Sequence, residues 1–545
     1  MIDSVNIDAN YPKQKKTILI NSSYGLWPIL EYELDLVRRK LEDGYRVVFL
    51  TCEGDVPSCE ANKDSNGRPI KRRCLECKSR VKSGLDWLQS ENNQISVISH
   101  KKLSWEQQEQ INSILDSLVK FDKEYIRTIV NIDNCDIFES ALSALITELK
   151  ISKPCLSKYS KELKLHLRVA IESYFSAKNI LKSLVVDEVY IYNGRFPKYR
   201  PLLRVTNKIG TTVKVYEYPY VGYENYIMID GTYPHDFGNT SEQIQEVVLS
   251  SQLSEEKIIS EGRNWFTDRI INKAQLDEPM VPSYNFWQKT GEIGEWKENL
   301  YNIVFFISSE HEDQAIEEVR STQPYGQIEA IKTILSATRK ALIHVRIHPN
   351  LQDRDPLFLS QIIELDIEER IIVINANSSV DSYELMSNAD LVISFGSTTG
   401  IEAAFLSKPV ITIGASLYNA FPATAVTYSH SKLLELVTNA EMHNYSKFPS
   451  IERRNIEACK FAYGFSNFGE QPKYLTRQSF AGGVMISSKG SCKIQSKLYI
   501  IIFNRLIDLP FRLINGLMSL ADPYKRERFF SNPVGLLIKK LSQHE

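Results

Sequence analysis

Residues 390–414 read DLVISFGSTTGIEAAFLSKPVITIG. Two apolar runs, DLVISFG and PVITIG, flank a segment of small residues that leads into a helical pattern. Short, continuous apolar runs that alternate with helical patterns are typical of parallel strands buried between helices. The stretch therefore predicts a strand, a loop, a helix and a second strand, with the loop at the carboxyl end of the first strand.

The same alternation extends over most of the chain. In the second half we predict five buried strands, at residues 302–309, 341–349, 371–376, 390–396 and 409–414. In the first half, strands are predicted at 17–21, 46–51, 95–99, 185–195 and 211–218, with a mostly helical stretch from 105 to 184. This rhythm predicts the α/β class, with two Rossmann-like domains built on parallel sheets.

The domain limits follow from changes in pattern. Residues 276–300 contain prolines and glycines without a clear period and are interpreted as a linker between domains 1–275 and 301–465. An extension over 466–545 contains apolar residues at helical spacing between 497 and 530. We predict amphipathic helices there, which either lie on a membrane surface or pack on the protein body; the basic flank consists of Lys525, Arg526 and Arg528.

Composition limits the function classes. The 545 residues carry a formal charge of −2, which argues against a nucleic-acid partner held by bulk electrostatics. No apolar run reaches the roughly 18–20 residues that span a bilayer, and the first residues lack the apolar core of a signal peptide. A cytoplasmic protein is therefore expected, in which the eight cysteines are thiols or metal ligands rather than disulfides.

The small-residue loop has the composition of an anion site. Gly396 and Gly400 allow a sharp turn and a close approach of the backbone to a ligand. The hydroxyls of Ser397, Thr398 and Thr399, with the first backbone N–H groups of the next helix, could bind a phosphate. The alternative is that the hydroxyls only cap the helix.

A histidine ends another strand of the same predicted sheet. His348 precedes Pro349, which terminates the strand, and ligands of parallel sheets bind at such carboxyl ends. An imidazole there can donate to a phosphate oxygen, although a local backbone partner is the alternative. Glu402 follows in the first turn of the helix after the loop, where it either binds a ribose hydroxyl or complements the helix dipole.

His348-Pro349 followed by Ser397-Thr398-Thr399 resembles the nucleotide-binding half of bacterial glycosyltransferases of the GT-B fold, in particular the sialyltransferases and Kdo transferases of capsule and lipopolysaccharide synthesis. GIEAAFLSKPVI and YIYNGRFPKYRPLLR (190–204) are also similar to segments of surface-polysaccharide enzymes. The resemblance covers residues 300–430 well and the first half loosely. It implies two domains facing a cleft, with a nucleotide-sugar donor, CMP-activated by preference, held by the histidine and the hydroxyls.

The resemblance also implies a catalytic base in the first domain, within an acidic-acidic-Gly motif. The nearest match, Asp230-Gly231, has a single acid, and Glu217 and His235 are rivals. A turn aspartate before glycine is the structural alternative. Arg195, at a predicted strand end, could hold an acidic sugar or form a surface ion pair.

A cysteine-rich loop over residues 52–82 has the spacing C-x6-C-x14-C-x2-C. Four thiolates with one CxxC pair suit a structural zinc site, an iron–sulfur cluster fits the same ligand count, and reduced thiols are the alternative. The basic run from 71 to 82 either contacts anionic groups or is solvated. No catalytic metal is expected, since the Asp-x-Asp at 353–355 is a common loop composition. The predicted ligands are Cys52, Cys59, Cys74 and Cys77.

The leading hypothesis is a glycosyltransferase of bacterial surface-polysaccharide synthesis, which transfers a sugar from a nucleotide to a glycan or lipid-linked glycan acceptor. In the membrane-surface alternative, the C-terminal helices contact the inner membrane face. A non-hydrolysing sugar-nucleotide epimerase would share the fold and the glycine-containing loop but would act without an acceptor. A non-catalytic scaffold of the polysaccharide machinery would bind nucleotide without turnover.

Overall fold

The computed structural model describes residues 16–22, 24–62, 71–89, 95–100, 103–217, 225–271, 291–293, 296–308, 315–316, 325–348, 351, 355–479, 482–487, 490–497 and 500. Several predictions fall outside these residues: most of the linker, Pro349, Asp353 and the amphipathic helices beyond residue 500. None of the described helices is long and apolar enough to cross a membrane.

The first half of the chain forms a six-stranded sheet in the order β3-β2-β1-β4-β5-β6. β1 to β5 are parallel, and the edge strand β6 runs antiparallel to β5. The strands are β1 (Thr17–Ser22), β2 (Arg46–Thr51), β3 (Ile95–Ser99), β4 (Glu188–Tyr192), β5 (Thr212–Glu217) and β6 (Ile227–Asp230). The helices are α1 (Ile29–Glu42), α2 (Lys71–Gln89), α3 (Trp105–Asp116), α4 (Lys123–Ile129), α5 (Ile137–Leu149), α6 (Ser160–Ser183), α7 (Arg200–Lys208), α8 (Phe237–Leu249) and α9 (Glu255–Ile271).

The second half forms a six-stranded parallel sheet in the order β12-β11-β10-β7-β8-β9. Its strands are β7 (Tyr301–Phe306), β8 (Ala341–Arg346), β9 (Ile371–Ile374), β10 (Leu391–Ser394), β11 (Val410–Ile413) and β12 (Ala425–Thr427). Its helices are α10 (Gln327–Ala337), α11 (Pro356–Ile363), α12 (Ser382–Asn388), α13 (Thr399–Phe405), α14 (His430–Glu441) and α15 (Ile451–Asn467), with a 3₁₀ turn at Glu364–Ile367. The predicted mixed α/β fold with parallel sheets is confirmed.

Both faces of the second sheet are buried, as continuous apolar strands require. The side chains of Ile303 and Phe305 on β7 join one hydrophobic cluster with α10 and α14. The alternate residues Val304 and Phe306 join another cluster with α13 and α15. Residues two apart on a strand therefore share a face, and a side chain's face can be read from its position in the run.

The two halves share part of one core. Ile244 of α8 and Phe266 of α9 belong to the same cluster as the α13 and α15 face of the second sheet. The ring of Phe266 stacks on Phe405 with their centroids 4.2 Å apart. Helices from the first half of the chain thus pack directly on the second sheet.

A small antiparallel sheet follows α15, and the sequence analysis did not predict it. Its strands are β13 (Leu475–Ser479), β14 (Gly482–Ser487) and β15 (Gly490–Cys492). Just before it, the backbone N–H groups of Lys473 and Tyr474 donate to the Asp35 carboxylate on α1, at 2.7 and 2.5 Å. The chain therefore returns to the first half after completing the second sheet.

The predicted cysteine-rich loop is partly helical. Residues 71–89 form α2, so the basic run is a helix face and two of the four cysteines lie on a helix. Only Gly84, Trp87 and Leu88 of this helix are buried. Because so few apolar residues anchor the helix, its sequence lacks the apolar period from which helices are predicted.

Glu33 of α1 is a buried acid at the carboxyl end of β1. Its side chain is fully buried and accepts hydrogen bonds from the hydroxyls of Ser22 and Tyr216. Burial raises the pKa of Glu33 to about 8, despite these two hydrogen bonds. The protonated form therefore favours folding, and its stabilisation is complete below the unfolded pKa near 4.3 and declines as the pH rises towards 8.

We expect Glu33→Gln to remove this pH dependence, because the amide keeps the shape of the side chain without its charge. Between pH 5 and 8 the wild type should lose on the order of 3 kcal/mol of unfolding free energy relative to the variant. Urea unfolding of both proteins across this pH range measures the difference. Parallel pH profiles would show that Glu33 does not titrate in this way.

Candidate functional site at the carboxyl edges of the two sheets

The order of the second sheet fixes where a ligand is expected. β7 lies between β8 and β10, and chain connections leave these neighbours in opposite directions, which opens a crevice at their carboxyl ends. Arg346, Phe306 and Ser394 form one row across β8, β7 and β10. His348 and Gly396 each lie two residues beyond this row. With strands about 4.8 Å apart, these two positions are separated by about 10 Å, so the predicted histidine and hydroxyl loop are at the same edge.

Residues that follow β11 hold the loop from 395 to 399 in place. Gly396 has φ +70°, and a Cβ atom there would lie 2.7 Å from the carbonyl oxygen of Ala415, so glycine is required. The hydroxyl of Tyr418 donates to the Ser397 carbonyl at 2.9 Å. The Ser397 hydroxyl accepts from the Thr399 N–H at 3.4 Å. The loop conformation is thus fixed by protein contacts before any ligand binds.

The hydroxyls do not act as a standard helix cap. Thr398 is the N-cap residue of α13, and its side chain accepts no capping hydrogen bond. The Thr399 Oγ1 atom is buried and has no hydrogen-bond partner among the described residues. Since buried hydroxyls are normally hydrogen-bonded, this orphaned atom fits a polar ligand group at the loop.

Two other predicted nucleotide-binding residues face the protein. A Cβ atom on Gly400 would lie 2.3 Å from the Tyr418 hydroxyl and 2.4 Å from Ser394 Oγ, so the small size of this residue serves helix packing. The buried Glu402 accepts a charged hydrogen bond from Arg269 of α9 at 2.9 Å. This contact gives Glu402 a structural role between α13 and α9, and a ribose contact stays a prediction.

His348 is half-buried, and its backbone carbonyl accepts from the Leu351 N–H at 2.9 Å. Arg346, two residues earlier on the same face, was not predicted as a site residue. Its guanidinium is almost fully buried and donates to the carbonyls of Asn375 and Ser378. The available sequence signal was a cation inside the apolar run ALIHVRIHP, two residues before the histidine.

Among the described residues, no carboxylate forms an ion pair with Arg346. Its Nε atom also has no hydrogen-bond partner among these residues. Burial lowers the pKa of Arg346 to about 10, so the side chain is still a cation at neutral pH. A buried cation beside the crevice is expected to attract an anion. Together with the loop, it makes this edge suited to a phosphate.

At the first sheet, Arg195 and His235 lie together near the carboxyl end of β4. Arg195 is 9% exposed, and its guanidinium lies 4.7 Å from the centre of the Phe196 ring. Burial and the nearby cations of Arg195 and Arg200 lower the pKa of His235 well below its usual value. The imidazole is therefore neutral at pH 7. Its Nδ1 atom is buried and has no hydrogen-bond partner among the described residues.

Asp230 lies elsewhere. It is the last residue of β6, which runs antiparallel to β5. The residue therefore lies at the amino ends of the parallel strands, opposite Lys214, and the two side chains form an ion pair at 3.0 Å. A cavity of about 980 Å³ lies there, lined by Glu242, Glu246 and Glu470 among others. Glutamates would repel an anionic nucleotide. The position of Asp230 therefore does not suit a catalytic base for this reaction. Of the two rival candidates, Glu217 accepts a hydrogen bond from the Asn193 side-chain amide, and His235 lies beside Arg195.

The carboxyl edge of the second sheet contacts the first half of the chain. The Arg200 guanidinium, at the start of α7 beyond β4, donates to the Ala315 carbonyl in the segment after β7 at 3.1 Å. After β8, Asp355 caps α11 and also accepts from the Ser152 N–H at 2.8 Å. Ala315 after β7 and Asp355 after β8 therefore contact the first half of the chain, at the carboxyl edge where His348 lies.

The four predicted metal ligands are free cysteines near the carboxyl ends of β1 and β2. Cys52 follows β2, Cys59 lies in the next loop, and Cys74 and Cys77 lie on α2. Across the described residues, no three His, Cys, Asp or Glu side chains already converge as ligands of one metal ion. The predicted metal thus stays a prediction.

No protein-family model matches this chain, and no curated protein matches it in sequence. Among solved structures, it is similar to KpsC, a β-Kdo 2,4 transferase of Thermosulfurimonas dismutans, with 12% identity, 58% of this chain and 87% of that chain covered, and a TM-score of 0.34. A putative UDP-N-acetylglucosamine 2-epimerase of Listeria monocytogenes has 11% identity, coverage of 82% and 94%, and a TM-score of 0.24. Alr3699/HepE of Anabaena, in complex with UDP and glucose, has 12% identity and a TM-score of 0.25, with 84% of this chain and 96% of that chain covered. Similarities this low do not assign the chain to a family.

Proposed function

We propose that this chain is a glycosyltransferase of GT-B architecture that transfers a sugar from a nucleotide donor to a glycan of a bacterial surface polysaccharide. The observation that supports the proposal is the order of the second sheet, which places Arg346, His348 and the hydroxyl loop at one carboxyl edge, the edge at which Ala315 contacts the first half of the chain. A reaction between two substrates needs each to be held on its own wall with the reacting atoms in contact.

The donor would occupy the second sheet. A nucleotide that leaves a sugar carries away negative charge on its phosphate, and groups that stabilise this charge lower the barrier most. Arg346, His348 and the hydroxyls of the 397–399 loop supply a cation and hydrogen-bond donors along the crevice. The preference for CMP follows from the resemblance of His348-Pro349 and the hydroxyl loop to CMP-sugar transferases.

The acceptor would bind at the first sheet. Arg195 suits an acidic sugar, and the neutral imidazole of His235 beside it can accept a hydrogen bond from a sugar hydroxyl. Because the lowered pKa makes His235 a weak base, the hydroxyl proton would pass to the leaving phosphate, which is the stronger base, as the new bond forms. The hydroxyl oxygen then bonds to the anomeric carbon of the donor sugar. The bond from that carbon to the phosphate oxygen breaks, and the nucleotide leaves with the electron pair.

The proposal is tested by coupling nucleotide release to acceptor. Purified protein is incubated with sugar nucleotides, including CMP-activated ones, with and without a capsule or lipopolysaccharide glycan extract. We expect nucleotide to be released only with acceptor, in the same amount as glycan is extended. Isomerised sugar nucleotide without release would instead identify an epimerase, and binding without any turnover would identify a scaffold.

A further inference from the structure

The four cysteines between residues 52 and 77 line one cavity of about 200 Å³. Cys74 and Cys77 are three residues apart on α2 and so lie on one face of the helix. Cys52 and Cys59 reach the same cavity from the segment after β2. The other four cysteines do not line this cavity. The thiols that share the cavity are therefore the same four whose spacing in the sequence is typical of metal ligands.

Each of the four sulfurs accepts a hydrogen bond from nitrogen. The backbone N–H groups of Gly25 and Gly54 donate to Cys77 and Cys52, at 3.0 and 3.4 Å. The Asn62 side-chain amide donates to Cys74 at 3.2 Å. The Lys198 ammonium donates to Cys59 at 3.4 Å. Neutral thiols are weak acceptors, whereas hydrogen bonds to sulfur are a regular feature of thiolate metal centres.

Lys198 adds an argument from charge. Its side chain is 1% exposed, and its Nζ atom lies 3.9 Å from the centre of the Tyr24 ring. Burying an ammonium costs several kcal/mol unless negative charge compensates it. Four thiolates around a divalent ion carry a net charge of −2, so such a centre would add to the negative charge that the nearby Glu60 carboxylate provides for Lys198.

We propose that Cys52, Cys59, Cys74 and Cys77 bind a metal centre as thiolates, either a zinc ion or an iron–sulfur cluster. No three ligands within the described residues already converge on one ion, so metal binding would require the four thiols to move closer together. The proposal rests on their shared cavity and on the hydrogen bonds to the four sulfurs. With all positions taken by protein sulfur, the centre is structural.

The centre would join three loops at the carboxyl edge of the first sheet. Gly25 follows β1, Cys52 and Cys59 follow β2, and Lys198 follows β4. α2, with few buried residues of its own, would be attached to the sheet through Cys74 and Cys77. The proposal concerns the integrity of this edge and does not depend on the reaction that the protein catalyses.

The test uses the full chain, produced in cells supplied with zinc and iron and purified without oxygen. Elemental analysis and native mass spectrometry of the wild type should find about one zinc per chain or, with sulfide and visible absorption, about two to four irons. Wild-type protein that carries neither metal under these conditions would overturn the proposal. This readout does not require any variant to fold.

Variants then locate the ligands. Cys52→Ser and Cys74→Ser should lower the metal content at least tenfold, whereas Cys155→Ser and Cys492→Ser, at exposed positions outside the cavity, should leave it unchanged. Metal content that is equal in all four variants and the wild type would place the metal elsewhere and overturn the assignment.

Discussion

Replacing His348 with Ala is expected to lower the kcat of sugar transfer by about 10²–10³-fold, the usual cost of one donor to a developing negative charge. His348 lies beyond the end of β8, level with the hydroxyl loop after β10, and we propose that its imidazole donates to the leaving phosphate. Initial rates of acceptor-dependent nucleotide release measure the effect.

His443→Asn is the matched control for this variant. His443 lies at the opposite edge of the same sheet, 5.6 Å from the ring of Tyr301 at the start of β7. Its φ of 57° is one that Asn tolerates. The control should keep wild-type rates, and a His348→Ala enzyme that is as fast as the control would remove His348 from the site.

Asp136→Asn is expected to destabilise the fold by about 2–3 kcal/mol, less than the loss of one partner of a fully buried ion pair, because the Asp136 side chain is 22% exposed. The Asp136 Oδ2 atom lies 2.6 Å from Arg200 Nε and 2.8 Å from Arg204 Nη2. Arg200 is fully buried and also holds the Ala315 carbonyl, so the variant leaves an uncompensated cation where the two halves meet. Urea denaturation at pH 7 measures the loss.

The pH dependence provides a second check on this ion pair. Burial raises the pKa of Asp136, but Arg200 and Arg204 outweigh it and lower the pKa to about 2. The pair therefore stabilises the fold above the unfolded pKa near 3.9, and the stabilisation is lost as the pH falls towards 2.

Asp122→Asn, at an exposed N-cap where Asn serves as well as Asp, is the control for Asp136→Asn and should leave the unfolding free energy nearly unchanged. A similar small effect at Asp136 would contradict the ion-pair account.

Ten of the twelve strands in the two large sheets could be predicted because their apolar runs are continuous, whereas the short strands β6 and β12 were not predicted. The runs that contain β7, β8 and β10 match the structure to within a few residues, since burial on both faces leaves a local signal in the sequence. The order of the strands leaves no such signal. Only the structure shows that β7 lies between β8 and β10, which brings His348 and the hydroxyl loop to one crevice.

Contacts between distant parts of the chain also leave no local signal in the sequence. The partner of Glu402 is Arg269, 133 residues away, so the helix position alone could not reveal the ion pair. Asp230 was the nearest match to a catalytic base, with a turn aspartate as the alternative, but the antiparallel direction of β6 places it at the amino ends of the parallel strands. A single arginine within the apolar run ALIHVRIHP does not reveal from the sequence whether its side chain is buried or exposed, so Arg346 was not predicted as a site residue.

The central claim is that a nucleotide binds at the β7–β10 crevice. The most direct test is a thermal-shift screen of the purified protein against CMP, UDP, GDP and dTDP. A ligand at 100 times its Kd stabilises the folded state by about 2.7 kcal/mol, which raises the Tm measurably. The account predicts that CMP raises the Tm of the wild type and of His443→Asn but not of His348→Ala. If no nucleotide raises the Tm, or if His348→Ala responds like the wild type, the claim is contradicted.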